Sequence, residues 1–144
     1  NGFLDGLGDS KDKFKIVAQQ DGGAALDKSM ELAEDIITAS PDMDAFFCIN
    51  DPSALGAAAA IKAANKTGKI GVYSIDASPD GKQALLDDEF TAVACQVPVQ
   101  IADYSFKEAV KYVNGDTKID EKKVYLDSHL VSKDEAEKTL KEWQ

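Results

Sequence analysis

The most informative stretch of this sequence is AFFCINDPSALG, residues 45–56. Its apolar first part is typical of a buried strand, which we place at 45–49 and which ends at Asn50. The Asp51 side chain can cap the first turn of the helix that follows, and Pro52 suits the first helical position, where its missing N–H costs nothing. A strand that leads directly into a helix is the repeating unit of a parallel α/β sheet. Because ligands of such sheets bind outside the carboxyl ends of the strands, the stretch predicts that Asn50 lies beside a crevice.

The same order of apolar strand, polar tip and helix occurs twice more along the chain. Asp76 follows one further apolar segment and Gln96 follows another, and each is followed by a helix with a proline near its start. In a right-handed parallel sheet the carboxyl ends of the strands line one rim, so we expect Asn50, Asp76 and Gln96 to lie together. The expected fold class is α/β, with a mostly parallel sheet flanked by helices. The predicted strands are residues 14–18, 45–49, 69–75 and 91–95.

The side chains at this rim favour one kind of ligand. A carboxylate such as Asp76 accepts hydrogen bonds, whereas the amides of Asn50 and Gln96 both donate and accept them. This set suits a small neutral polyhydroxylated ligand, because a charged ligand would require an arginine or a lysine at the rim. The alternative is structural: Asn50 and Gln96 would form turns, and Asp76 would help to cap a helix.

Composition and charge exclude several classes of partner. The 144 residues suit one domain, and 26 acidic against 16 basic side chains give a net charge of −10. Since the basic residues are scattered along the chain, we expect neither nucleic acid nor an anionic membrane surface as a partner. Apolar runs of the length needed to span a membrane are lacking in the sequence.

Residues that could carry covalent or metal chemistry are few. The single histidine, His129, stands in a short extended segment, and no nucleophile or metal-ligand set has a histidine at an interpretable spacing. Cys48 and Cys95 fall on different strands with a third strand between them, roughly 10 Å apart, which is beyond disulfide reach. The sequence therefore predicts free thiols, no catalytic residue, no metal site and no cofactor.

Four segments of the chain resemble one protein family. They are ITASPDMDAFFCINDPSALGA (37–57), SIDASPDG (74–81), ACQVP (94–98) and LVSKD (130–134). Together they resemble the C-terminal part of periplasmic sugar-binding proteins of ABC transporters, the ribose-binding type in particular. The alternative is the effector-binding domain of a LacI-like transcription regulator, which has the same fold and a similar motif.

The resemblance to the transporter proteins carries a function with it. It implies a solute-binding protein that is not an enzyme and that holds a sugar or a sugar-like polyol between two lobes. Asn50, Asp76 and Gln96 would hydrogen-bond the hydroxyl groups of this ligand, and an ABC permease would be the partner of the intact protein. The implied location is the periplasm, or the cell exterior as a membrane-anchored lipoprotein whose leader this chain does not carry.

The resemblance also implies that the chain holds one lobe of a type I periplasmic-binding-protein fold and that this lobe is incomplete. Its first strand would be absent, and that strand would lie between the strands at 14–18 and 45–49. The implied units are residues 1–96, the ligand-binding lobe; residues 97–122, a helix that would belong to the other, missing lobe; and residues 123–144, a return segment with the C-terminal helix.

Two further features bear on this expectation. The Val99–Val113 helix carries an apolar stripe at helical spacing, so we expect either self-association or a lost partner fragment to cover it. Ala77 stands where the family usually has a glycine after the aspartate, and the loop at 19–23 lacks the aromatic side chain that often stacks on the sugar ring.

Overall fold

The structure of the protein, a computed structural model, describes residues 2–116 and 123–143. The helices are α1 (Gly2–Gly6), α2 (Leu26–Ala39), α3 (Asp51–Ala63), α4 (Pro79–Leu86), α5 (Pro98–Val113) and α6 (Lys133–Lys138), and a 3-10 helix spans Gly8–Lys13. The strands are β1 (Ala45–Phe47), β2 (Gly71–Asp76) and β3 (Ala92–Cys95).

The three strands form one parallel sheet in the order β1-β2-β3. Phe46 of β1 lies opposite Val72 of β2, and Ser74 of β2 lies opposite Val93 of β3. Because α3 connects β1 to β2 and α4 connects β2 to β3, the chain contains two consecutive βαβ units. The predicted α/β class, with a mostly parallel sheet flanked by helices, is confirmed.

α3 is the central helix of the core, and its small side chains allow close packing. It packs against α2 and against strands β1 and β2. A Cβ atom on Gly56 would lie 2.8 Å from Met30 N and closer still to Leu26 O, so only glycine lets the backbones of α3 and α2 approach this closely. The buried residues of α3 include Ala54, Ala57, Ala58, Ala60 and Ile61.

The prediction of a strand at residues 14–18 is wrong. These residues have no regular structure and are exposed, including the large side chains of Phe14, Ile16 and Val17. A strand needs a neighbour that satisfies its backbone N–H and C=O groups. Within residues 2–116 and 123–143, no strand pairs with this segment. Its apolar, β-branched sequence is therefore not sufficient to form a strand.

The segments after β3 differ sharply in how they pack. No residue of α5 is buried, and Phe106 is 70% exposed. The return segment instead pairs with the sheet through an antiparallel bridge between Ala94 and Leu130, and α6 packs against α4 with Ala136 buried. The C-terminal helix of this segment spans Lys133–Lys138.

Candidate functional site

Asn50, Asp76 and Gln96 lie together at the carboxyl edge of the sheet. Gln96 Nε2 donates a hydrogen bond to Asp76 Oδ1 at 2.6 Å, and Gln96 N donates to Asp76 O at 3.1 Å. On the other side, Asp51 N donates to Asp76 Oδ2 at 3.3 Å, and Asn50 is the residue before Asp51. The three predicted residues thus form a row at the carboxyl ends of β1, β2 and β3, in which Asp76 bonds the Gln96 side chain directly and is linked to the Asn50 position through the backbone of Asp51.

Asn50 is the N-cap of α3. Its Oδ1 accepts a hydrogen bond from Ser53 N at 3.1 Å, and its Nδ2 donates to Ala24 O at 3.3 Å. The prediction that Asp51 caps this helix and that Pro52 follows at the first position is therefore wrong. Asn50 has extended backbone angles and helical residues begin at Asp51, so the cap lies one residue earlier.

Asp51 is instead buried beneath the row. Its Oδ1 accepts a hydrogen bond from Ser74 Oγ at 2.6 Å, and its Oδ2 accepts from Ser78 N at 2.8 Å and Ser78 Oγ at 2.7 Å. Ser78 Oγ in turn accepts from Gly81 N at 3.1 Å and caps α4, as the Ser-Pro pair at its start indicates. The structural alternative gave Asn50 a turn and Asp76 a helix-capping role. In the structure Asn50 itself caps α3, and Asp76 Oδ2 accepts a hydrogen bond from the N–H of Asp51, the first residue of that helix.

The backbone at Asp76 is strained. Asp76 has φ 129° and Ala77 has φ 57°, a region that favours glycine. Each such residue costs about 1–3 kcal/mol and persists only where its surroundings hold it. Ala77 is fully buried, so the turn is enclosed by the protein. The chain adopts this conformation with alanine at position 77.

The electrostatics of Asp76 reflect competing effects. Burial raises the pKa of its carboxyl group above the ordinary value, and the nearby Asp51 carboxylate raises it further. The hydrogen bonds from Asp51 N and from the Gln96 side chain act in the opposite direction, and the net shift is upward. Asp76 is thus a partly buried acceptor, with one donor from the protein on each oxygen.

One cluster was missed by the reasoning from sequence. Cys95 Sγ lies 3.3 Å from His129 Nδ1, and His129 Nε2 lies 2.8 Å from Glu135 Oε1. The expectation that no nucleophile has a histidine beside it is therefore wrong. Cys95 and His129 are 34 residues apart and are brought together beside the bridge between Ala94 and Leu130, which no local pattern encodes. Cys95 is 1% exposed, so a substrate cannot reach its sulfur in this conformation.

Both cysteines are free, as predicted, because β2 separates β3 from β1. Burial raises the pKa of the Cys48 thiol to about 11. Among the described residues, no three His, Cys, Asp or Glu side chains are grouped so that they could hold a metal ion. In the same part of the chain, no helix has the length and apolar character needed to cross a membrane.

The amino-acid sequence matches a known family model. The model described as "Periplasmic binding protein domain" matches residues 1–117. The chain belongs to the periplasmic binding protein family. This family consists of solute-binding proteins, in agreement with the resemblance seen in the sequence.

Among curated relatives of this periplasmic binding protein is the ribose import binding protein RbsB of Salmonella typhimurium. The two are 34% identical over 104 residues, which are 72% of this chain and 35% of that protein. The D-allose-binding periplasmic protein of Escherichia coli is 30% identical over 95 residues, 66% of this chain and 30% of that protein. The chain thus spans about a third of the length of these relatives. Both are sugar-binding proteins, so the alternative of a LacI-like regulator gains no support from them.

Solved structures agree with this family and extend the match to nearly the whole chain. A galactofuranose binding protein superposes with a TM-score of 0.86 at 30% identity, over 96% of this chain and 48% of that one. A protein from Mycobacterium smegmatis in complex with β-D-fucofuranose superposes with a TM-score of 0.84 at 28% identity, over 96% of this chain and 45% of that one. The chain therefore corresponds to slightly less than half of a type I periplasmic binding protein.

Proposed function

We propose that this chain contributes Asn50, Asp76 and Gln96 to the binding of a sugar or sugar-like polyol by the solute-binding component of an ABC importer. The row of amide, carboxylate and amide groups at the carboxyl edge of the sheet is the observation that supports this most directly. Each Asp76 oxygen has a second lone pair, and each amide has a second N–H. Sugar hydroxyl groups both donate and accept hydrogen bonds, so they match this set.

The contacts of the row argue against an anionic ligand. The partners of the Asp76 oxygens are an amide N–H and a peptide N–H rather than a cationic side chain. The sequence contains no arginine, the residue that most often binds carboxylate and phosphate groups. The ribose, allose, galactofuranose and fucofuranose named for the related proteins are neutral and rich in hydroxyl groups.

The proposed partner and location follow from the relatives. One of them is an import binding protein and another is a periplasmic protein. We therefore propose an ABC permease as the partner of the intact protein. We also propose a location in the periplasm, or outside the cell as a membrane-anchored lipoprotein.

We further propose that the ligand is held between two lobes and that this chain supplies most of one of them. The proposed lobe comprises residues 1–96, and residues 123–144 return to it, because Leu130 bridges to Ala94 and α6 packs against α4. Residues 97–122 would belong to the other lobe, which agrees with the absence of buried residues in α5. Residues 117–122 of this unit lie outside the described residues.

Calorimetric titration tests the ligand proposal. A panel of pentoses, hexoses and inositols would be titrated into the intact protein, the Asp76→Ala variant and the Asp35→Ala variant. Asp35 is an exposed carboxylate on α2 and serves as the matched control. We expect Asp76→Ala to weaken binding about 10- to 100-fold, because a hydrogen bond to a charged group contributes about 1.5–3 kcal/mol. Failure of the intact protein to bind any member of the panel would contradict the proposal.

The two-lobe proposal has its own test. If half of the contacts come from another lobe, the 144-residue chain alone binds sugar far more weakly than the intact protein does. Titration of the isolated chain with the best ligand of the panel measures this. Micromolar or tighter binding by the isolated chain would show that a second lobe is not needed.

A further inference from the structure

We infer that Asp51, which no ligand can reach, positions the Asp76 carboxylate for ligand binding. The inference rests on the proposed function, since it concerns the same site. It begins with the burial of Asp51, which is 1% exposed. Its carboxylate accepts three hydrogen bonds, one from Ser74 and two from Ser78, so its oxygens are engaged within the protein.

Three elements meet at the Asp51 carboxylate. Asp51 is the first residue of α3, Ser74 lies on the central strand β2, and Ser78 caps α4. A Cβ atom on Gly81 would collide with the Asp51 carboxylate, so the first turn of α4 lies directly against it. The Asp51 carboxylate therefore lies at the junction of α3, β2 and the start of α4.

Asp51 holds the strained turn at Asp76 and Ala77. Asp76 and Ala77 both have positive φ, and the next residue, Ser78, is fixed to Asp51 through its N–H and its hydroxyl group. A strained backbone persists only where neighbouring groups determine its conformation. Asp51 also contacts the Asp76 side chain itself, because Asp51 N donates to Asp76 Oδ2. The same residue thus fixes the Asp76 backbone from one side and its carboxylate from the other.

The consequence is an orientation of Asp76 that leaves it available to a ligand. Asp76 Oδ2 accepts from Asp51 N and Oδ1 accepts from Gln96 Nε2, so the two bonds together restrain the orientation of the carboxylate. Loss of the Asp51 carboxylate frees Ser78 and the turn, so Asp76 and then Gln96 lose their fixed positions. Asp51 acts on the ligand through Asp76 and does not touch the ligand itself.

A double-mutant cycle on the intact protein separates this role from a general effect on stability. Sugar affinity would be measured for Asp51→Ala and Asp51→Asn, each alone and combined with Asp76→Ala. We expect Asp51→Ala to weaken binding at least tenfold when Asp76 is present and by less than twofold when it is absent. Equal losses in both backgrounds would overturn the inference. Asp51→Asn, which keeps the size and one acceptor, supplies the same comparison if Asp51→Ala does not fold.

The control is Thr91→Val, which removes a hydrogen bond from Val72 N at the opposite edge of the sheet. We expect this variant to have a lower melting temperature and unchanged sugar affinity. If Thr91→Val weakened binding as much as Asp51→Ala does, loss of stability would account for the effect of Asp51 and the inference would be overturned.

A second readout needs no ligand. The Gln96 side-chain amide donates to Asp76 Oδ1, so its NMR signals report whether Asp76 is in position. We expect Asp51→Ala or Asp51→Asn to move these signals toward those of Asp76→Ala, and Thr91→Val to leave them unchanged. Unchanged signals in both Asp51 variants would overturn the inference even if no sugar is found to bind. Absence of sugar binding by the intact protein, in contrast, would count against the proposed function alone.

Discussion

Helices α3 and α5 are both rich in apolar residues, yet they lie in opposite surroundings. Eight of the 13 residues of α3 are buried, and none of the 16 residues of α5 is. α3 is lined with alanine and one glycine, which let α2 and the sheet approach it closely. α5 carries larger side chains, and no described element covers them. Apolar residues at helical spacing are thus enough to predict a helix, whereas its burial requires a neighbouring surface of matching shape.

The largest expected effect comes from a matched pair of isoleucines. Ile61 of α3 is 3% exposed and Ile101 of α5 is 46% exposed. We expect Ile61→Ala to lower the free energy of unfolding by about 2–5 kcal/mol, because it removes buried methyl groups and leaves a cavity. Ile101→Ala should change it by less than about 0.5 kcal/mol at concentrations where the chain is monomeric. Denaturant unfolding of both variants measures the difference. Similar losses would mean that α5 is packed as tightly as α3.

A smaller effect concerns Cys48, which lies just before α3 and packs against the hydrophobic core. Its thiol has a pKa of about 11 in the folded chain, above the ordinary value of 9.0. As pH rises from 9 to 11, the unfolded chain loses this proton first, so stability is present below pH 9 and is lost toward pH 11. The loss is on the order of 2–3 kcal/mol, since each pKa unit corresponds to about 1.4 kcal/mol.

Unfolding measured across this pH range, with and without Cys48→Ala, isolates the contribution of the thiol. The variant should lose less stability than the unmodified chain between pH 9 and 11. The same pH dependence in both proteins would mean that Cys48 is accessible to water and is not packed against the core.

Glycine substitutions test how closely α3 packs against α2. Gly56→Ala places a Cβ atom against the backbone of α2, and we expect it to lower the free energy of unfolding by about 1–3 kcal/mol. Gly6→Ala in α1 is the control, because a Cβ atom there meets nothing within 4 Å. It should be neutral or stabilising by up to about 1 kcal/mol. Thermal unfolding of the two variants decides whether α2 and α3 are as close as the structure has them.

The smallest expected effect concerns the uncovered face of α5. If copies of the chain associate through this face, Phe106→Ser should raise the dissociation constant about tenfold, because loss of a partly buried aromatic contact costs about 1.4 kcal/mol. Gln100→Ser, on the same helix and also exposed, is the control and should leave association unchanged. Size-exclusion chromatography with light scattering over a range of concentrations measures the constant. A stable monomer at every concentration would contradict self-association.

Much of the fold could be predicted because its signals are local. Alternation of apolar segments with helical periodicity placed β1, β2 and β3, and each needs only a few consecutive residues to be recognised. The Ser78 cap and Pro79 at the start of α4 are likewise encoded within one turn. The row of Asn50, Asp76 and Gln96 followed from these elements, since parallel strands present their carboxyl ends on one side. Their contact with a sugar stays a prediction.

The predictions that were wrong concern residues whose contacts depend on partners far along the chain. Residues 14–18 have the pattern of a strand, but a strand requires a neighbour, and no described strand pairs with them. Asp51 has the side chain of a cap, yet its carboxylate binds Ser74 and Ser78, which are 23 and 27 residues away.

The sequence thus determined which segments become strands and helices in the β1–β3 region and which side chains stand at the strand ends, because these choices are made by backbone preferences and hydrogen bonds within a turn or two. Tertiary structure alone decided that Asn50 rather than Asp51 caps α3 and that His129 meets Cys95. Each of these outcomes is set by competition between distant groups for the same buried space or the same hydrogen bond, and such competition exists only once the chain has folded.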